Sequence, residues 1–214
     1  TRRDGRWMIG YGVASSMRGH FQTSTEALVR IDPDGFVIVR TDMTDIGTGT
    51  YTIVSQVVAE VLGVPMSVVK VELANSDHPK GHGAGGSWGA ANTTVSVDRA
   101  CTTLLERVRA VAGTTYNDLF AEVRRHFPDG IEAIGKQVGG SDDPNYKTWS
   151  QYTYGASFAE VGVDIDTGEV RLRRMLGVFA AGRILNRKTA RSQLIGGMIW
   201  GVGAALHENA AIDP

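Results

Sequence analysis

The placement of glycine constrains this chain more than any other feature. The 214 residues include 27 glycines, well above the usual share of about 7%, and many fall in three clusters: Gly47 and Gly49; Gly81, Gly83, Gly85, Gly86 and Gly89; and Gly196, Gly197, Gly201 and Gly203. No collagen-like period links them. Clustered glycine of this kind marks main chain brought close to a ligand or to another element, because no Cβ stands in the way.

The segments around the clusters have regular periodicity. Residues 26–31 and 36–39 are strand-like runs flanking Asp32-Pro33-Asp34-Gly35, whose side chains suit a tight reversal. After Gly47 and Gly49, residues Ile53, Val54, Val57, Val58, Val61 and Leu62 recur at helical spacing, and Gly63 and Pro65 end that helix. A strand over 68–73 leads into a loop over 75–88. A second helix is predicted over 90–112, with Val97, Cys101 and Leu104 on its apolar stripe, and a third over 114–127. Residues 131–150 have weak periodicity and read as a connection. A second hairpin over 158–179 turns at Asp166-Thr167-Gly168 and leads through Gly182 to a helix over 188–208. One order, hairpin then glycine-bearing loop then helix, occurs twice. The economical fold is α+β, with two lobes that each pack a hairpin or sheet against helices: 1–130, then the connection 131–150, then 151–214.

Each glycine cluster has a plain and a functional reading. In Asp45-Ile46-Gly47-Thr48-Gly49-Thr50-Tyr51, the first helical amides lack internal partners and can donate to an anion. Thr48 or Thr50 can instead cap the helix. The run Gly81-His82-Gly83-Ala84-Gly85-Gly86 contains the dinucleotide spacing G-x-G-x-x-G. That fingerprint needs a strand leading directly into the glycines, and Ser76-Asp77-His78-Pro79-Lys80 intervenes, so a cradle for another phosphate or pterin fits better. His78 and His82 sit four apart on a Pro- and Gly-rich loop without the H-E-x-x-H pattern, and solvated histidines are expected rather than metal ligands. Arg183, Arg187, Lys188 and Arg191 form either a solvated basic face or a phosphate anchor. Gly197 and Gly201, with Gly203, imply close packing of a helix whose apolar run, 194–206, is too short for a bilayer. Gln193 has no weight by itself.

Composition narrows the remaining classes. Net charge is −1, so no global positive field points to nucleic acid. The lone Cys101 excludes an internal disulfide and an iron–sulfur cluster held by this chain alone, since a cluster needs about four thiolates. No signal peptide is evident, and a first residue other than Met suggests a processed or trimmed start.

Three segments in this order resemble one family. Asp42-Met43-Thr44-Asp45-Ile46-Gly47-Thr48-Gly49-Thr50, the loop Gly83-Ala84-Gly85-Gly86-Ser87-Trp88-Gly89-Ala90, and the stretch from Asn186 through Gln193 to Gly203 are similar to the cofactor-binding half of the molybdenum hydroxylases, the xanthine dehydrogenase and aldehyde oxidoreductase family. Ser157-Phe158-Ala159-Glu160-Val161 and Asp164-Ile165-Asp166-Thr167-Gly168 resemble the strand pair preceding the last of these.

The resemblance implies a molybdopterin dinucleotide, in its cytosine form, carrying molybdenum. It also implies hydroxylation of aldehydes or N-heterocycles with oxygen from water, and iron–sulfur and FAD partners that carry the electrons away. By position it assigns Gly47, Thr48, Gly49, Gly85, Gly86, Ser87, Trp88, Gly89 and Gln193 to the cofactor, and no residue of this chain to the metal. Xanthine oxidases usually have Gln at the position of Thr48, which argues for the aldehyde or heterocycle branch. The family's general-base glutamate belongs to a Gly-x-Gly-Glu segment that this sequence lacks, and Glu208 does not match it. The chain therefore reads as a fragment of the subunit, inactive alone. It would be completed by the remainder of the molybdenum subunit and the iron–sulfur and FAD subunits, with no membrane span and a cytoplasmic location unless a partner's signal directs it to the periplasm. The alternative is a non-catalytic cofactor-binding or assembly module on the same scaffold.

Overall fold

A computed structural model of the chain describes residues 2–113, 118–144 and 146–212. In chain order the elements are β1 (Arg2–Asp4), β2 (Trp7–Gly19), β3 (Thr25–Ile31), β4 (Val37–Thr41), α1 (Thr50–Leu62), β5 (Val69–Leu73), α2 (Gly89–Ala112), α3 (Leu119–His126), β6 (Ile131–Gln137), β7 (Tyr152–Asp164), β8 (Val170–Ala180) and α4 (Arg187–Leu206). The α+β expectation holds, with two separate four-stranded sheets. The chain divides into two compact units, Phe21–Ser150 and Thr1–His20 with Gln151–Pro214.

The Phe21–Ser150 unit is built on a sheet of order β5-β4-β3-β6. The expected hairpin is present: β3 and β4 pair antiparallel from Leu28↔Arg40 to Ile31↔Val37, and Asp32 N donates to Phe36 O at 2.9 Å across the turn. β4 and β5 pair parallel, so the chain must cross over between them, and α1 is that crossover. Strict alternation puts Ala27, Val29, Ile31, Val37 and Val39 on one face, all with no solvent exposure. Helices α1 and α2 bury Val54, Val58, Val97 and Leu104 to the same degree. Each such side chain contributes about 1.5–3 kcal/mol on leaving water. The spacings that predicted both helices are therefore the spacings of the core.

Two boundaries differ from the sequence reading. Residues 131–137, expected within a connection, form β6 and pair with all of β3, from Thr25↔Gln137 to Ile31↔Ile131. Their inward positions are Ile131, Ala133, Gly135 and Gln137, so a glycine and an amide interrupt the apolar alternation. Glycine is needed there by contact: a Cβ at Gly135 would lie 1.9 Å from the Ser96 carbonyl oxygen of α2. The third helix starts at Leu119, capped by the Asp118 side chain, which accepts from Phe120 N and Ala121 N. Residues 114–117 of the expected helix lie outside the described residues.

The other unit is the sheet β1-β2-β7-β8 with α4. β2, which no periodicity marks in the sequence, pairs with β7 along thirteen residues. The β7–β8 turn is locked by Asp164. Its carboxylate accepts from Asp166 N and Thr167 N, at 2.9 and 3.2 Å, and meets Arg6 Nε at 2.6 Å. Burial pushes this carboxyl up, but the Asp166 and Thr167 amides and the Arg6 charge outweigh it and leave it below the ordinary range.

Candidate functional site

The segment that leads into the first glycine cluster meets the loop of the second at the carboxyl end of the parallel β4/β5 pair. Asp42 and Met43, just past β4, are the junction. Asp42 N donates to Pro79 O at 2.9 Å, its carboxylate accepts from Gly81 N, and Ala74 N donates to Met43 O at 3.0 Å. The Met43 thioether fills the space beside Gly89, where a Cβ would lie 2.2 Å from the Met43 methyl. The segment leading to Gly47, Thr48 and Gly49 is thus fastened to both ends of the loop holding Gly85, Gly86, Ser87 and Trp88.

At the α1 entrance neither Thr48 nor Thr50 caps the helix. The cap position is Gly49, at φ 90°, with no side-chain bond of its own. Asp45 supplies the acceptor instead: its Oδ1 takes the amides of Gly47, Thr48 and Gly49 at 2.8, 2.9 and 3.3 Å. Burial pushes the Asp45 carboxyl up, but the amides of Gly47, Gly49, Tyr51 and Thr48 together hold it below the usual carboxylate range. The anion expected from outside is therefore already present in the chain. An Asp two to four residues before such amides is a recognisable Asx pattern, and it was legible in the sequence.

The second loop is kinked and walled by aromatics. Gly86 and Ser87 are consecutive left-handed residues, at φ 56° and 57°. A serine held there costs roughly 1–2 kcal/mol, and a non-glycine outlier of this kind points to a site. His82 stacks on Trp88 (ring centroids 5.0 Å apart, planes at 25°), and Phe21 packs against the same indole at 5.3 Å. His82 is thus a half-buried wall residue rather than a solvated histidine. A wide-open surface hollow of about 400 Å³ lies against His82, Gly83, Ala84, Gly85, Gly86 and Trp88. The Trp88 indole N–H is buried with no partner among the described residues, and the same holds for His78 Nδ1. Among those residues no group of three or more His, Cys, Asp or Glu could hold a metal.

Gly83 and Gly85 are the informative glycines. Neither has a positive φ, and a Cβ on either would meet nothing within 4 Å. Neither backbone conformation nor internal packing requires glycine there, so bare main chain faces open space.

Gln193 belongs to the other unit. It is exposed on the second turn of α4, beside a hollow of about 290 Å³ that Ser157, Phe179 and Met198 also line. The α4 entrance is closed internally, since Asn186 Oδ1 accepts from Lys188 N and Thr189 N at 2.9 and 3.1 Å. Arg183, Arg187, Lys188 and Arg191 are all exposed. The close packing expected at Gly197 and Gly201 is not found among the described residues. A Cβ at either would meet nothing within 4 Å, and α4 buries no residue. No described helix is long and apolar enough to cross a membrane.

Sequence reasoning missed Asn92. This fully buried side chain joins the glycine loop to the sheet. Its one signal is an asparagine near the start of a helix, where its propensity is poor, followed by the polar run Thr93, Thr94 and Ser96 before the apolar stripe begins.

Residues 1–214 match the molybdopterin cofactor-binding domain family. The chain is 44% identical over 227 residues to the aldehyde oxidoreductase molybdenum-binding subunit PaoC of Escherichia coli O157:H7, covering 99% of this chain and 30% of that protein. It is 28% identical over 232 residues to the probable hypoxanthine oxidase XdhD of Escherichia coli K12, covering 99% and 24%. Among solved structures, quinoline 2-oxidoreductase from Pseudomonas putida 86 superposes with a TM-score of 0.81 at 25% identity, covering 97% of this chain and 31% of that one. The chain thus spans about 30% of the length of the relative PaoC.

Proposed function

The chain belongs to the molybdopterin cofactor-binding domain family, and on that premise we propose that it cradles the cofactor within the molybdenum-binding subunit of an aldehyde- or N-heterocycle-oxidising hydroxylase. Gly83 and Gly85 carry the reading. They leave unshielded main chain beside an aromatic-walled hollow and have no internal reason to be glycine, which fits a flat group lying at van der Waals distance.

When bound, the group supplies oxidation of an electron-poor carbon with oxygen drawn from water. The chain supplies the shape. Gly85, Gly86 and Trp88 form one wall, with His82 stacked on Trp88, while Ser87 and Gly89 hold the turn and the helix seat behind it. Gly47, Thr48 and Gly49 approach through bare backbone and the Thr48 hydroxyl. Because Asp45 fills their amide nest, this entrance is not where a diphosphate is neutralised. Gln193 offers an exposed amide on α4. The cofactor is the cytosine dinucleotide, and electrons leave through iron–sulfur and FAD subunits, since the single buried Cys101 cannot ligate a cluster. Thr48 and the greater identity to the aldehyde oxidoreductase subunit support aldehydes over purines.

The test is analysis of the purified complex that contains this chain. Equimolar pterin and molybdenum, cytidine monophosphate on hydrolysis, and turnover of aldehydes or N-heterocycles above purines are expected. The chain alone should turn over nothing. A complex free of pterin refutes the proposal.

A further inference from the structure

We propose that Asn92 is a positioning residue for the cofactor loop, an inference that rests on the cofactor reading above. Its side chain has no solvent exposure. A carboxamide offers two donor hydrogens and a carbonyl oxygen able to accept two bonds, and all four positions are used. Nδ2 donates to Trp88 O at 2.8 Å and to Phe21 O at 3.2 Å. Oδ1 accepts from Thr23 N at 2.8 Å and from Gln137 Nε2 at 2.7 Å. The main-chain partners fix which end is nitrogen, since two carbonyls must face a donor and an amide must face an acceptor.

This side chain therefore ties three separate pieces of the unit to one point. Trp88 closes the glycine loop, Phe21 packs on the Trp88 ring, and Gln137 ends β6. The neighbouring contacts are equally close: Thr25 and Ser96 hydroxyls lie 2.6 Å apart, and Thr25 Oγ1 donates to Asn92 O at 3.2 Å. Helix α2 is thus seated on β3 and β6 by polar contacts at its amino end, while apolar side chains hold the rest. The Trp88 indole, the wall of the hollow, takes its place from that seat. An apolar residue at position 92 would keep the helix, and with it the Asn92 N to Trp88 O bond at 3.1 Å, but would release Phe21, against which the Trp88 ring packs, together with Thr23 and Gln137.

The experiment uses the assembled holoenzyme with four variants. Asn92→Asp keeps the shape but turns an acceptor toward the Trp88 and Phe21 carbonyls. Gln137→Met removes one of the four bonds and guards against failure of the first variant to fold. Val108→Ala, in the last turns of α2, is the stability control, compared at matched Tm. Trp88→Phe identifies the near-ultraviolet circular dichroism band of the walled indole. Asn92→Asp should speed hydrogen exchange of the 81–92 peptide by at least about tenfold, abolish the Trp88 band and lower pterin content severalfold. Gln137→Met should shift all three the same way by less, and Val108→Ala should leave the band and the peptide near wild type. Equal behaviour of Asn92→Asp and Val108→Ala at matched Tm overturns the proposal, as does an unchanged 81–92 peptide in Gln137→Met. If the wild-type complex holds no pterin while exchange and the band respond as expected, the cofactor reading fails and the positioning of the loop by Asn92 stands.

Discussion

Substituting Gly85 by alanine separates a glycine kept for an outside body from one kept for the fold. Gly85 has no positive φ, and its added methyl would meet nothing within 4 Å. In the cofactor-free protein the change should be neutral or stabilising, by about 0.4–1 kcal/mol, because alanine narrows the unfolded ensemble. For a chain of this size that raises Tm by at most a few degrees, on the scale of about 2–4 °C per kcal/mol. In the complex the same methyl stands where a flat group would touch main chain. Overpacking of that kind costs about 1–3 kcal/mol, or roughly 5- to 150-fold in affinity at about 1.4 kcal/mol per factor of ten. The two effects have opposite signs, so Tm of the cofactor-free chain and pterin content of the complex, measured in parallel, should diverge. Gly86→Ala is the contrast. At φ 56°, with its Cβ 3.0 Å from the Trp88 ring, it should lose stability and pterin together. Wild-type pterin content in Gly85→Ala, or a Tm that falls along with the pterin, would refute the reasoning.

The remaining expectations concern the frame of the site. Asp45→Ala should destabilise the α1 entrance by about 1–2 kcal/mol, as loss of a cap does, seen as faster hydrogen exchange at 47–51. Because the folded Asp45 carboxyl lies below its unfolded value of about 3.9, its contribution is complete above that pH and fades as pH falls through the lower folded value. Melts of wild type and Asp45→Ala should therefore converge in acid, and a constant gap would refute the charge-based account. Gly135→Ala should cost about 3 kcal/mol or more, since its Cβ would sit 1.9 Å from Ser96 O and 2.5 Å from Ala100 N. A urea midpoint equal to wild type would mean α2 does not lie that close to β6. Burial, with the nearby Asp98 charge adding to it, pushes the Cys101 thiol up to about 12, so a thiol reagent at neutral pH should label it only as fast as the Phe21–Ser150 unit opens. Rapid labelling of the native chain would contradict its place in the core.

The amphipathic helices and the β3–β4 hairpin were readable without coordinates, because each is a local periodicity: Val54, Val58, Val97 and Leu104 recur at helical spacing and are the residues that became buried. The sequence also located the glycine clusters and, through their order, the family. β6 was hidden because Gly135 and Gln137 stand at its inward positions, and only contact with α2 and Asn92 explains either residue. Nor could the sequence separate glycines with different tasks. Gly86 needs a left-handed backbone, Gly89 makes room for Met43, and Gly83 and Gly85 need neither. Those distinctions depend on what lies within a few ångströms of a missing Cβ, which is a property of residues far apart in the chain. The same holds for Asp45. Its spacing from Gly47 and Gly49 is local and legible, but only the folded loop decides that their amides turn inward to its carboxylate rather than outward to a ligand.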